Sequence, residues 1–139
     1  MKDFTETEQV KKYFTIEEAE KLLPKIEKLL KRLLHLEKAI ELLNTVELEV
    51  EEENYSHLRY VTRLNKEFHK LSYEFYKKLD ELESLGCLVK DLDLGLIDFY
   101  YHFENRDILL CWKFGEKEIK YWHEVYVGFQ GRKPILNLR

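Results

Sequence analysis

LIDFYYHFENRDILLCWKF, Leu96 to Phe114, is the stretch on which the reading of the fold turns. Ile97, Phe99, Tyr101 and Phe103 alternate with Asp98, Tyr100 and His102, the period of two that a strand with one apolar face requires. After the polar interruption ENRD, Ile108, Leu110, Trp112 and Phe114 alternate with Leu109, Cys111 and Lys113. Two such runs across a short polar turn predict an antiparallel β-hairpin. With Asn105-Arg106 closing a two-residue loop, Phe103 faces Ile108, Tyr101 faces Leu110, Phe99 faces Trp112 and Ile97 faces Phe114. The opposite face then pairs Tyr100 with Cys111 and Asp98 with Lys113.

Upstream the period is different. Ala19, Leu22, Ile26, Leu29, Leu33, Leu36, Ile40 and Leu43 recur in steps of three and four, which predicts a long helix from about Thr15 to about Leu48. Thr15 and Glu18 have the spacing of a capping box at its start. Leu23, Leu30 and Leu34 widen the stripe, and Pro24 predicts a bend, because it lacks an amide donor and crowds the carbonyl of Glu20. A second stripe, Leu58, Val61, Leu64, Phe68, Leu71, Phe75, Leu79, Leu82 and Leu85, predicts a helix over about 54–85, with Asn54 as N-cap and Gly86 as its stop. The short acidic link between them implies an antiparallel, coiled-coil-like helical hairpin.

After Gly86, CLVKDL at 87–92 is a candidate third strand, and EIKYW (Glu118–Trp122) fits either a further strand or a helical turn. Gly128, Gly131 and Pro134 mark an irregular C-terminal segment. The expectation is a single α+β domain: a long antiparallel helical hairpin packed with a small antiparallel β-sheet, residues 87–139 forming the sheet and C-terminal segment.

Composition sets outer bounds. A chain of 139 residues with 45% hydrophobic and 14% aromatic residues can bury a real core and is not disordered. Its apolar runs are too short for a membrane span, and MKDFTETEQVKKYFT is too polar for a signal peptide, so the expected location is cytoplasmic. A net charge of −4 argues against a nucleic-acid partner while leaving a local basic patch open. Cys87 and Cys111 have no CxxC companion and read as buried thiols. Abundant Lys, Glu, Leu and Tyr beside a single Met is the bias expected of a thermophilic source.

Four polar constellations compete for a role. Asp98, Glu116, His123 and Glu124 are a donor set for a divalent metal; the structural alternative is an Asp98–Lys113 ion pair with His123 bonded at a sheet edge. Cys111 with His123 and Asp98 would make a thiol nucleophile if thiol and imidazole met, although a mid-strand cysteine is ordinarily inert packing. Trp122 and Phe129, with Tyr121 and Tyr126, lie near Arg132 and Lys133 and could stack bases and hold phosphate. The glutamates at 47, 49 and 51–53 crowd the hairpin tip, where solvation is the simpler account.

Gly95-Leu96-Ile97-Asp98-Phe99, Leu110-Cys111-Trp112 through Gly115-Glu116, Trp122-His123-Glu124 and Gly128 through Gly131-Arg132 form a combined signature. With the N-terminal Phe14–Pro24 string, it resembles a small prokaryotic family, domain of unknown function twenty-two zero three. Lys113 stands where that pattern has arginine. The resemblance implies kinship, directs attention to Asp98, Glu116, His123, Glu124 and Arg132, and carries no activity with it. The leading expectation is therefore a cytoplasmic, non-enzymatic interaction or assembly module forming a homo-oligomer or binding a protein partner. In it, Asp98, Lys113, Glu116, His123 and Arg132 form a polar network. The alternative is a metal-binding protein or metal-dependent enzyme, and RNA binding stands third.

Overall fold

Helices α1 (Ile16–Asn44) and α2 (Tyr55–Glu83) lead into a five-stranded antiparallel sheet. Its strands are β1 (Leu88–Asp91), β2 (Leu96–Phe103), β3 (Arg106–Lys113), β4 (Tyr121–Glu124) and β5 (Lys133–Pro134), side by side in chain order. The computed structural model describes residues 11–45 and 55–138, apart from the side chain of Asn137. The expected helix end near Leu48, the Asn54 cap and the acidic tip lie outside the described residues. Two compact units share the chain: residues up to Leu23 together with those from Leu85 onward, and Pro24–Ser84.

Within the second unit α1 and α2 run as a hairpin. Ile26, Leu29, Leu30, Leu33 and Leu36 are buried on the α1 stripe. Arg32 donates from Nε and a terminal nitrogen to Oε1 of Glu74, at 2.9 and 2.6 Å, tying the helices in register. The cap of α1 is formed as expected: Glu18 N–H donates to Thr15 Oγ1 at 3.1 Å and Thr15 N–H to Glu18 Oε1 at 3.3 Å. The helix continues through Pro24, and the boundary between the two units falls between Leu23 and that proline.

In the first unit, β2 and β3 are joined by a tight turn at Glu104-Asn105, both with positive φ (50° and 62°). That is the backbone signature of a type I′ loop, whose twist matches the strands it connects. The turn thus sits one residue earlier than Asn105-Arg106, and the register is corrected accordingly. Phe103 pairs with Arg106, Tyr101 with Ile108, Phe99 with Leu110 and Ile97 with Trp112. Asp98 pairs with Cys111, not Lys113; Tyr100 pairs with Leu109. Each partner moves by two residues, so the faces keep their phase while the neighbours change.

The third strand expected at 87–92 is present as β1, and the ambiguous Glu118–Trp122 region resolves into a loop followed by β4. β4 places Trp122 against Leu110 and His123 against Leu109. Phe14 N–H donates to the Tyr100 carbonyl at 2.8 Å, and the Phe14 ring meets Phe99 edge-on at 5.2 Å, so the segment before α1 packs on β2. The run Leu96–Phe99 and the run Ile108–Trp112 are buried throughout, including Asp98. A buried carboxylate in the middle of a sheet directs attention to what surrounds it.

Candidate functional site

β2, β3 and β4 bring Asp98, Cys111 and His123 together on one face. The pairing of Asp98 with Cys111 and of Leu109 with His123 sets this arrangement, because alternation puts residues 98, 109, 111 and 123 on one side. The three are buried, and a carboxylate oxygen, Sγ and an imidazole nitrogen lie within 4.8 Å of one another. His123 Nε2 is 3.0 Å from Asp98 Oδ2, and Nδ1 is 2.8 Å from the Glu124 carbonyl. A carbonyl oxygen only accepts, so Nδ1 carries a hydrogen and Nε2 is the atom turned toward Asp98 and Cys111.

Burial works against charge on this imidazole. Hydrogen bonds to Asp98, to Cys111 and to the Glu124 carbonyl, with the attraction of the carboxylate, outweigh it and hold His123 up at about 10, against an ordinary 6.5. Both ring nitrogens then donate, and the Asp98–His123 contact is a buried ion pair. Asp98 Oδ1, by contrast, is buried with no hydrogen-bond partner. A cleft of about 230 Å³ reaches this edge of the cluster, lined in part by Lys90, Leu96, Asp98, His123 and the segment Val125–Phe129.

Glu116 goes elsewhere. Gly115, at φ +101°, allows a turn in which Glu116 N–H donates to the Lys113 carbonyl at 2.9 Å. The Glu116 side chain folds back to accept from Lys113 N–H and from Arg132, both at 2.6 Å. Trp112 Nε1 closes the turn by donating to the Glu116 carbonyl at 2.7 Å. Arg132 also donates to the Cys111 carbonyl at 3.2 Å, and its guanidinium stands 4.1 Å from the Tyr121 ring centroid and 4.6 Å from that of Phe129. The stacked arginine thus connects the Glu116 turn to the backbone of the strand bearing Cys111.

Glu124 is on the opposite face, where Arg106 donates to both of its oxygens at 3.2 and 2.7 Å, which holds its carboxyl below the usual carboxylate range. The four metal candidates therefore part three ways: Asp98 with His123, Glu116 with Arg132, and Glu124 with Arg106. Lys113 faces the Phe129 ring at 5.5 Å, not Asp98. Of the residues considered for stacking bases, Trp122 is buried and covered by Lys133 at 4.9 Å, and the Phe129 ring carries Arg132. From the sequence Tyr121 was one of the aromatics offered for stacking bases and Arg106 only a turn residue; the alternation in YWHE places Tyr121 on the His123 face and Glu124 on the other.

A buried Asp–Cys–His cluster on three adjacent strands, braced by a stacked Arg–Glu pair, defines a two-unit α+β protein with a polar centre in its sheet. The family model described as "Uncharacterized conserved protein (DUF2203)" matches residues 12–135, and the chain belongs to that family. Comparisons with curated proteins and with solved structures give no match. Among the described residues, no helix is long and apolar enough to cross a membrane.

Proposed function

We propose that this protein is a non-enzymatic assembly module whose helical hairpin associates with the hairpin of a second copy. The observation that carries this is the exposure along α2. Leu58 is 57% exposed, and Val61, Leu64, Phe68, Leu71 and Phe75 are only half-buried, so that of this described stripe Leu82 alone is buried. On α1, burial stops at Leu36, and Leu42 is 61% exposed. One neighbouring helix covers half of such a stripe; a four-helix arrangement covers the rest. A second copy offers a matching heptad period, and the exposed residues beside the stripe, such as Arg59, Arg63, Glu67 and Lys70, carry both signs of charge.

The test is molar mass by light scattering over a hundredfold concentration range, on wild type and on Leu64→Glu with Phe68→Glu. A concentration-dependent dimer that the double variant reduces to a helical monomer is the expected result. A wild type that stays monomeric at the highest concentration, and recovers no partner from cell extract, would overturn the reading.

A further inference from the structure

We propose that Asp98, Cys111 and His123 form a transition-metal site suited to zinc(II), with three protein ligands and a fourth position open to the cleft at Lys90 and Val125–Phe129. It is independent of the hairpin's role in assembly.

The donor set is the first ground. Thiolate, imidazole and carboxylate are the ligands zinc takes, and here one of each is offered within 4.8 Å of the others. Zinc bond lengths of about 2.0–2.3 Å in a tetrahedron place ligand atoms about 3.5 Å apart, so each donor needs to move by no more than about an ångström. The second ground is the orientation of His123. Its Nδ1–H is committed to the Glu124 carbonyl at 2.8 Å, the second contact that metal-bound histidines characteristically make, and this presents Nε2 to the other two donors.

The third ground is independent of the cluster's internal bonds. Asp98 is 2% exposed, yet its Oδ1 has no hydrogen-bond partner. A buried carboxylate oxygen left unpaired is costly, and an ion pair with His123 through Oδ2 does not relieve it. A cation bound at the Asp98 carboxylate does. Finally, each ligand stands on a separate hydrogen-bonded strand, so the backbone fixes the site without depending on a mobile loop. Three protein ligands beside a cleft, rather than four in a closed shell, is the arrangement that keeps a position for an outside ligand. Lys90 at the cleft favours a small anion or hydroxide there.

The test uses the full chain, stripped with chelator and checked for its native circular dichroism, then titrated with zinc against a chromophoric chelator and separately with cobalt(II). Wild type is expected to bind one ion per chain and, with cobalt, to show a thiolate-to-metal charge-transfer band and tetrahedral ligand-field absorption. Cys111→Ser is expected to remove the charge-transfer band. Asp98→Asn and His123→Gln are each expected to weaken zinc binding more than about 100-fold, beyond the loss of an outer contact. The exposed-site control His69→Gln is expected to bind as wild type does. Folded wild type that takes up no zinc, binds cobalt without the thiolate band, or loses its metal equally in His69→Gln would overturn the proposal. The cobalt spectrum of wild type decides the case even where a variant fails to fold.

Discussion

His123 Nε2 meets Asp98 Oδ2 at 3.0 Å across the width of β3, although the two residues stand on strands that are not neighbours. Cys111 lies between those strands, paired with Asp98, and shares their face. In the metal-free protein this buried pair makes stability depend on pH. His123 is held at about 10 when folded and titrates near 6.5 when free, so its contribution is complete below about 6.5 and is lost as pH rises toward 10. Within that window stability falls as pH rises, because the folded chain holds a proton that the unfolded chain has released. Denaturant midpoints of chelator-treated protein at a series of pH values check this. Asp98→Asn should flatten the dependence, and nitrogen chemical shifts of the imidazole should show it titrating at lower pH than in wild type.

The stacked arginine makes a different prediction. Arg132 stands over the rings of Tyr121 and of Phe129 while donating to Glu116 and the Cys111 carbonyl. Lysine keeps the charge but has neither the plane nor the fork, so Arg132→Lys should cost about 1–2 kcal/mol in urea unfolding. A loss within a few tenths of a kcal/mol would mean that the stacking contributes little.

Two glycines with positive φ separate backbone strain from steric contact. At Gly95, φ +67°, a Cβ would clash with Phe114 Cβ; at Gly115, φ +101°, it would meet nothing within 4 Å. Gly95→Ala should destabilise by about 2 kcal/mol or more, combining strain with a clash, whereas Gly115→Ala should cost only about 1 kcal/mol. Thermal or urea unfolding of the pair measures the difference directly.

The hairpin turn can be improved. Glu104 and Asn105 both hold positive φ, the conformation for which Asn-Gly is the favoured pair. Asn105→Gly should therefore stabilise the protein by about 0.5–1 kcal/mol, read as a raised urea midpoint at unchanged slope. A destabilised variant would show that Asn105 contributes more through its side chain than its backbone costs.

The long stripes and the alternation at 96–114 were enough to read an α+β protein with a helical hairpin, because burial imposes those periods directly. The register of β2 and β3 was not. Moving the turn from Asn105-Arg106 to Glu104-Asn105 shifts every partner by two and returns each side chain to the same face, so apolar pairing cannot tell the two apart. Only turn chemistry can, and glutamate is not the residue that advertises a left-handed position. The site suffered from the same ambiguity. Cys111, His123 and Asp98 were grouped from the sequence as a thiol constellation conditional on their meeting, but alternation assigns a face without saying which strands adjoin. β4 is only four residues long, too short to announce itself, and it is the strand that delivers His123.

The sheet unit is assembled from two pieces of chain, the segment ending at Leu23 and the segment beginning at Leu85, with the helical hairpin spliced between them. Tyr13 and Phe14 can join β2 only once that excursion has returned. An unstructured excursion of this length would charge the sheet a closure entropy of roughly 4 kcal/mol; a hairpin that folds on its own local contacts removes much of it. The helices thus act as a clasp that lets distant ends of the sequence meet.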